Sequence, residues 1–142
     1  MAIDFGTKRV GIAVTDPMRI VASGLKTIST HRIFEFLEAY FSKENVSEIV
    51  VGYPKKLNNQ PSESVKYINP FVKKLEQLYP EKKISLMDER FTSKIAFQSM
   101  IDAGLKKRQR QNKELVDQIS AVLILQGYLE YRKVNKQGSI FD

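Results

Sequence analysis

Apolar and polar residues change their period along the chain, and each change predicts an element. Met1 to Phe5 is a short apolar start that predicts a strand, and Gly6-Thr7-Lys8-Arg9 predicts a turn. Val10 to Thr15, rich in β-branched residues, predicts a second strand, broken by Asp16-Pro17. A third strand is predicted within Ile20 to Ile28, with Gly24 as its weak point. Ser29 or Thr30 stands where it can cap a helix, along which Ile33, Phe34, Leu37, Tyr40 and Phe41 share one face. Val46 to Val51 predicts a buried strand closed by Gly52-Tyr53-Pro54. After the polar stretch Lys55 to Gln60, Pro61 suits the first turn of a helix reaching Tyr79, which Pro70 should kink or divide. Lys83 to Met87 predicts a fifth strand. Thr92 or Ser93 would cap a helix stopping at Gly104, and a last helix is predicted from about Lys113 to Arg132.

Three strands in hairpin order followed by βαβ units predict an α/β domain. Its mixed five-stranded sheet carries helices on both faces. The 142 residues fit one domain, expected over 1–132, with 133–142 a flexible tail that has little to bury. A hydrophobic fraction of 42% excludes intrinsic disorder. The absence of cysteine excludes a disulfide scaffold, a thiolate zinc site and a cysteine nucleophile, and it fits a reducing cytosol. His31, the single histidine, cannot make a His-pair acid–base site. No signal peptide is expected, since Asp4, Lys8 and Arg9 interrupt the N-terminal apolar stretch. The apolar run Ala121 to Leu125 is far short of the ~20 residues that span a bilayer. A cytoplasmic protein with no membrane partner is the expectation.

Chemistry then concentrates on acids. Asp4 ends an apolar strand at what should be a sheet edge, where ligands bind in α/β proteins. Gly6 permits a tight turn and Gly11 a close backbone approach. The plainer alternative for Asp4 is an Asp bonding its own turn. Asp88-Glu89-Arg90 also closes an apolar strand, where adjacent acids are costly unless a cation meets them. Alternation along a strand lets only one of Asp88 and Glu89 face a given site, unless the strand has already ended. They could instead be first-turn acids suited to a helix dipole. Asp117 lies on the last helix in the series Asp117, Ala121, Ile124, Tyr128, which aims it inward; the alternative is an ion pair with Lys113. The small Ala121 should let this helix approach the sheet. Three acids on separate elements suit a hard divalent ion, Mg²⁺ or Mn²⁺, which wants oxygen ligands. They also suit two-metal phosphodiester hydrolysis, which needs neither histidine nor cysteine.

Charge adds the partner. The formal net charge is +7 and the sequence pI about 9.6, a balance that favours polyanions. Lys106, Lys107, Arg108, Arg110 and Lys113 crowd the approach to the Asp117 helix; Lys55 and Lys56 follow Tyr53-Pro54; Lys8 and Arg9 follow Asp4; Arg90 follows the acid pair. Basic clusters flanking the acids predict a track for a phosphate backbone, against the bland alternative of a solvated surface.

Taken together, Asp4-Phe5-Gly6-Thr7-Lys8-Arg9-Val10-Gly11, Val51-Gly52-Tyr53-Pro54, Asp88-Glu89-Arg90-Phe91-Thr92, and Lys113 with Asp117 and the Ala121–Leu129 stretch closely resemble the YqgF/RuvX family. The resemblance runs from residue 1 to about 132. Members are described as Holliday-junction resolvases and, in bacteria, as nucleases that mature the 5′ end of pre-16S rRNA. The resemblance implies an RNase H-like fold and a metal-dependent carboxylate site with Asp4, Glu89 and Asp117 as catalytic acids, Glu89 being favoured over Asp88 as the second ligand. Structured RNA or branched DNA is the implied partner. A monomer or a homodimer is expected, since symmetric cutting of a two-fold junction would need a dimer. Two departures stand out. The family usually carries a few more residues before the first Asp, so the first strand is expected to be clipped. Its usual Gly-Leu-Pro is Gly52-Tyr53-Pro54 here.

Two other function classes share parts of this pattern. Actin-like and Hsp70-like ATP-binding modules also open with an Asp-x-Gly-Thr phosphate loop, but they need two such domains around the nucleotide. A catalytically silent RNA-binding assembly factor would keep the basic segments without needing three converging acids.

Overall fold

The structure, a computed structural model, describes residues 1–53, 65–88 and 112–138. Strands β1 (Ala2–Phe5), β2 (Arg9–Thr15) and β3 (Ala22–Ser29) form an antiparallel meander. Helix α1 (Ile33–Lys43) then leads to β4 (Glu48–Tyr53), which lies parallel to β1. Helix α2 (Val65–Leu78) leads to β5 (Lys83–Asp88), parallel to β4, and α3 (Lys113–Gly138) follows. The strand order β3-β2-β1-β4-β5 makes the mixed five-stranded α/β sheet expected of an RNase H-like fold.

Alternation along the central strands divides the core in two. Ile3, Ile12 and Val51 face one side, where Ile33 and Leu37 of α1 and Ile68, Phe71 and Leu75 of α2 cover them. Phe5 extends this packing by stacking on Phe71, centroids 4.4 Å apart. Ala2, Ala13 and Val50 face the other side and meet Ala121, Ile124, Leu125 and Tyr128 of α3. The first face is bulky and the second mostly small, so α3 lies close to the sheet. Ala121 is fully buried there, and Ile124 and Tyr128 nearly so, which places the Asp117–Tyr128 series on the inner face as its spacing predicts.

Several boundaries differ from the sequence expectation. Neither Ser29 nor Thr30 caps α1: a 3₁₀ turn, Thr30–Arg32, intervenes, and the Ser29 side chain makes no capping bond. The Thr30 hydroxyl donates instead to the Gly6 carbonyl at 2.7 Å, because the meander brings the end of β3 beside the first hairpin turn. Helix α2 is continuous across Pro70 over its described residues, so one lost backbone donor does not divide it. Gly24 lies within β3, where its missing side chain makes room for Gln118 of α3. Helix α3 continues through 133–138, where the sequence pattern predicts a flexible tail. Pro61 and the helix expected between Thr92 and Gly104 fall outside the described residues.

The start of α3 is fixed by Asn112, whose side-chain oxygen accepts from the backbone N–H of Glu114 at 3.1 Å and of Leu115 at 3.3 Å. It thereby satisfies two donors that the first turn would leave without partners. Asn112→Ala is expected to cost about 1 kcal/mol, read as a lower denaturation midpoint at unchanged m-value.

Candidate functional site

The parallel strands β1, β4 and β5 all end at one edge of the sheet, which carries Asp4, Tyr53 and Asp88. The described pairing of β1 with β4 ends at Ile3 and Val51, one step before Asp4. This edge is where the strands part, the position at which α/β sheets receive ligands.

The β1–β2 hairpin sets the first acid. At Gly6 a Cβ atom would lie 2.6 Å from the Arg9 carbonyl oxygen, so only glycine allows the turn. The hairpin register puts Gly11 directly opposite Asp4. Residues so opposed share a sheet face, here the α3 side. A Cβ atom at Gly11 would fall on the Asp117 carbonyl and lie 3.1 Å from the Asp117 Cβ. Beside Gly11 on β3, the Thr27 hydroxyl donates to the Glu114 carbonyl at 2.7 Å. The first turns of α3 therefore lie across the row Asp4–Gly11–Thr27, with Asp117 above the glycine that neighbours Asp4.

Arg9, two residues before Gly11, reaches the same place. Its Nε–H donates to Asp117 Oδ2 at 2.9 Å, with the two side chains 36% and 23% exposed. Asp117 thus pairs across the sheet with Arg9 rather than with Lys113 one turn back on its own helix. An arginine–carboxylate contact across more than a hundred residues of sequence was beyond local pattern reading. The clue available was the hairpin: a turn centred on Thr7-Lys8 puts Arg9 and Gly11 next to Asp4.

The second motif divides. Ser85 and Met87 face α3, Ser85 Oγ lying 3.4 Å from the Tyr128 hydroxyl and Met87 packing against the α3 cluster. Ile84 faces the opposite core. Asp88, paired with Tyr53, continues the Ile84 side and is exposed. It therefore points away from the face that holds Asp4 and Asp117, and β4 lies between its strand and β1. Among the described residues no three Asp, Glu, His or Cys side chains converge as a metal-holding group. Glu89 and Arg90 lie outside the described residues, as do Lys55, Lys56, Lys106, Lys107, Arg108 and Arg110. Lys8 and Lys113, both exposed, stand on the first hairpin turn and at the start of α3, the two elements that carry the site.

A family model described as RuvX, Holliday junction resolvase, matches residues 1–131. The chain belongs to the RuvX family. A Flavobacterium johnsoniae protein named "Putative pre-16S rRNA nuclease" is 54% identical over 94% of this chain and 96% of its own length. Proteins of the same name from Phocaeicola vulgatus and Bacteroides fragilis are 53% and 50% identical, each over 94% of this chain and over 96% and 97% of their own lengths. A RuvX-family match over nearly the whole chain leaves no support for an actin-like ATP-binding module. The RuvX-type first motif, Asp4 to Gly11, is the segment whose hairpin carries Asp4, the Arg9 contact and the glycine beneath α3.

Proposed function

We propose that this chain is a divalent-metal-dependent endonuclease that hydrolyses phosphodiester bonds of precursor 16S rRNA in the cytoplasm. The observation that carries this reading is the seating of Asp117 over Gly11, the cross-strand neighbour of Asp4. It brings two hard-oxygen donors from different layers to one face of the sheet edge. The donor set suits Mg²⁺ or Mn²⁺, ions that take carboxylate oxygens and need neither imidazole nor thiolate. The cation already bonded to Asp117, Arg9, supports the view that this carboxylate is placed to hold positive charge. Asp4 and Asp117 would hold the metal together with Glu89. The direction of Asp88 favours Glu89 as the acid of the second motif. When bound, such a metal supplies activation of water and stabilisation of the leaving oxygen. The protein's part is to fix the carboxylates on a strand end and a capped helix. Lys8, Arg9, Arg90, Lys113 and the segments containing Lys55, Lys56, Lys106, Lys107, Arg108 and Arg110 would carry the phosphate backbone.

Precursor rRNA is favoured over branched DNA because relatives at 50% to 54% identity over most of the chain carry the rRNA name. No described helix is long and apolar enough to cross a membrane. The deciding assay offers a precursor 16S rRNA fragment and a four-way DNA junction side by side, with Mg²⁺, with Mn²⁺ and with excess chelator. The expected result is cleavage of the rRNA at discrete positions near its mature 5′ end, abolished by chelator. Preferential cutting of the junction would reassign the substrate. Binding of rRNA without cleavage in either metal would replace the nuclease with a silent assembly factor.

A further inference from the structure

The Arg9–Asp117 pair uses only part of what an arginine can offer a carboxylate. Arginine frequently meets a carboxylate through two parallel N–H bonds. Here Nε alone makes the contact, at 2.9 Å. No other described residue bonds the guanidinium. The terminal nitrogens are thus uncommitted among the described residues, on a side chain one-third exposed at the sheet edge. The carboxylate end of this pair belongs to the helix turn seated above the neighbour of Asp4.

Resting on the metal-dependent reading above, we propose that Arg9 is an exchangeable latch. In the metal-free protein it neutralises Asp117. When that carboxylate passes to a divalent cation, Arg9 leaves it and turns its guanidinium to a substrate phosphate. Two facts about the pair make the exchange possible. A single, partly exposed contact is weak, so it can be broken by a stronger cation. Arg9 also sits on β2 two residues from Gly11, so its guanidinium stays beside the acids after release. The latch couples the binding of metal to the binding of phosphate. Coupling of this kind is reciprocal: substrate that engages Arg9 must tighten metal to the same degree.

The test is Mn²⁺ binding by calorimetry, without substrate, on the full chain and its variants. Arg9→Gln removes the competing cation and is expected to bind Mn²⁺ about three- to tenfold more tightly. Arg9→Met, which keeps the aliphatic stem, should do the same and guards against misfolding of the first variant. Arg9→Lys retains a cation that must be displaced and should stay within about twofold of the parent. Lys8→Gln removes a neighbouring charge that touches no acid in the described structure, and it should also leave the affinity within about twofold. Equal or weaker Mn²⁺ affinity in both Arg9→Gln and Arg9→Met overturns the latch while leaving the metal site standing. So does an equal gain in Lys8→Gln, which would mean a general field effect. Absence of Mn²⁺ binding in the parent and in all variants overturns the metal reading and the latch with it.

Discussion

Asp117→Asn is expected to lower cleavage more than a hundredfold and to remove the stabilisation that Mg²⁺ or Mn²⁺ confers. The magnitude follows from a lower bound: loss of partners that merely orient a ligand costs roughly 10–100-fold in metal affinity or activity, and loss of the ligand itself should exceed that. Stabilisation by metal scales with the logarithm of its concentration over the dissociation constant, so it vanishes when the site no longer binds. Repulsion among empty carboxylates alone would predict an unchanged or more stable apo protein. The Arg9 contact alters this, because asparagine also gives up the ion pair with Arg9. The pair is partly exposed, so its loss should cost no more than about 1 kcal/mol. The measurement is a thermal melt with and without metal, beside a single-turnover cleavage assay. Normal activity in Asp117→Asn, or an undiminished metal-induced shift, would remove Asp117 from the site.

The sequence pattern was most informative where local chemistry decides the outcome. The β1–β2 hairpin was legible because Gly6 sits between an apolar start and a β-branched run, and its register then follows without further information. The inner face of α3 was legible because Asp117, Ala121, Ile124 and Tyr128 recur at helical spacing, and three of these are buried against the sheet. What stayed hidden depends on contacts between distant segments. Thr30 looks like a helix cap in sequence, but β3 ends beside the first turn and the Gly6 carbonyl takes its hydroxyl. Gly24 looks like a strand breaker, but it is the position over which Gln118 passes. Asp88 looks equivalent to its neighbour until the pleat is anchored by Ser85 and Met87, one bonding distance and one packing contact that fix which face each residue takes. The partner of Asp117 depends on where α3 crosses β2, which no local spacing encodes.

That crossing point makes Gly11 the residue whose replacement should most clearly join stability to function. Gly11→Ala is expected to destabilise the fold by about 1–3 kcal/mol, the usual cost of overpacking, and to lower Tm by about 3–10 °C. The reason is specific to what lies above it. The added methyl would fall on the Asp117 carbonyl, and backbone cannot swing aside as a side-chain tip can. Helix α3 must therefore move, and the movement is largest at the turn that carries Asp117. A displacement of about 1 Å at a reacting group can cost on the order of a hundredfold in rate, so cleavage should fall well beyond what the stability loss explains at a temperature where the variant stays folded. Gly24→Ala supplies the contrast on the neighbouring strand under the same helix. Its added methyl would meet the Gln118 side-chain oxygen at 3.2 Å and the Gln118 Cβ at 3.4 Å, and the flexible amide can turn away. Near-neutral stability and near-parental cleavage are expected there. Matching losses in the two variants would point to a general intolerance of added bulk beneath α3. A parental melt and parental cleavage in Gly11→Ala would mean that the helix does not hold Asp117 against β2 at all.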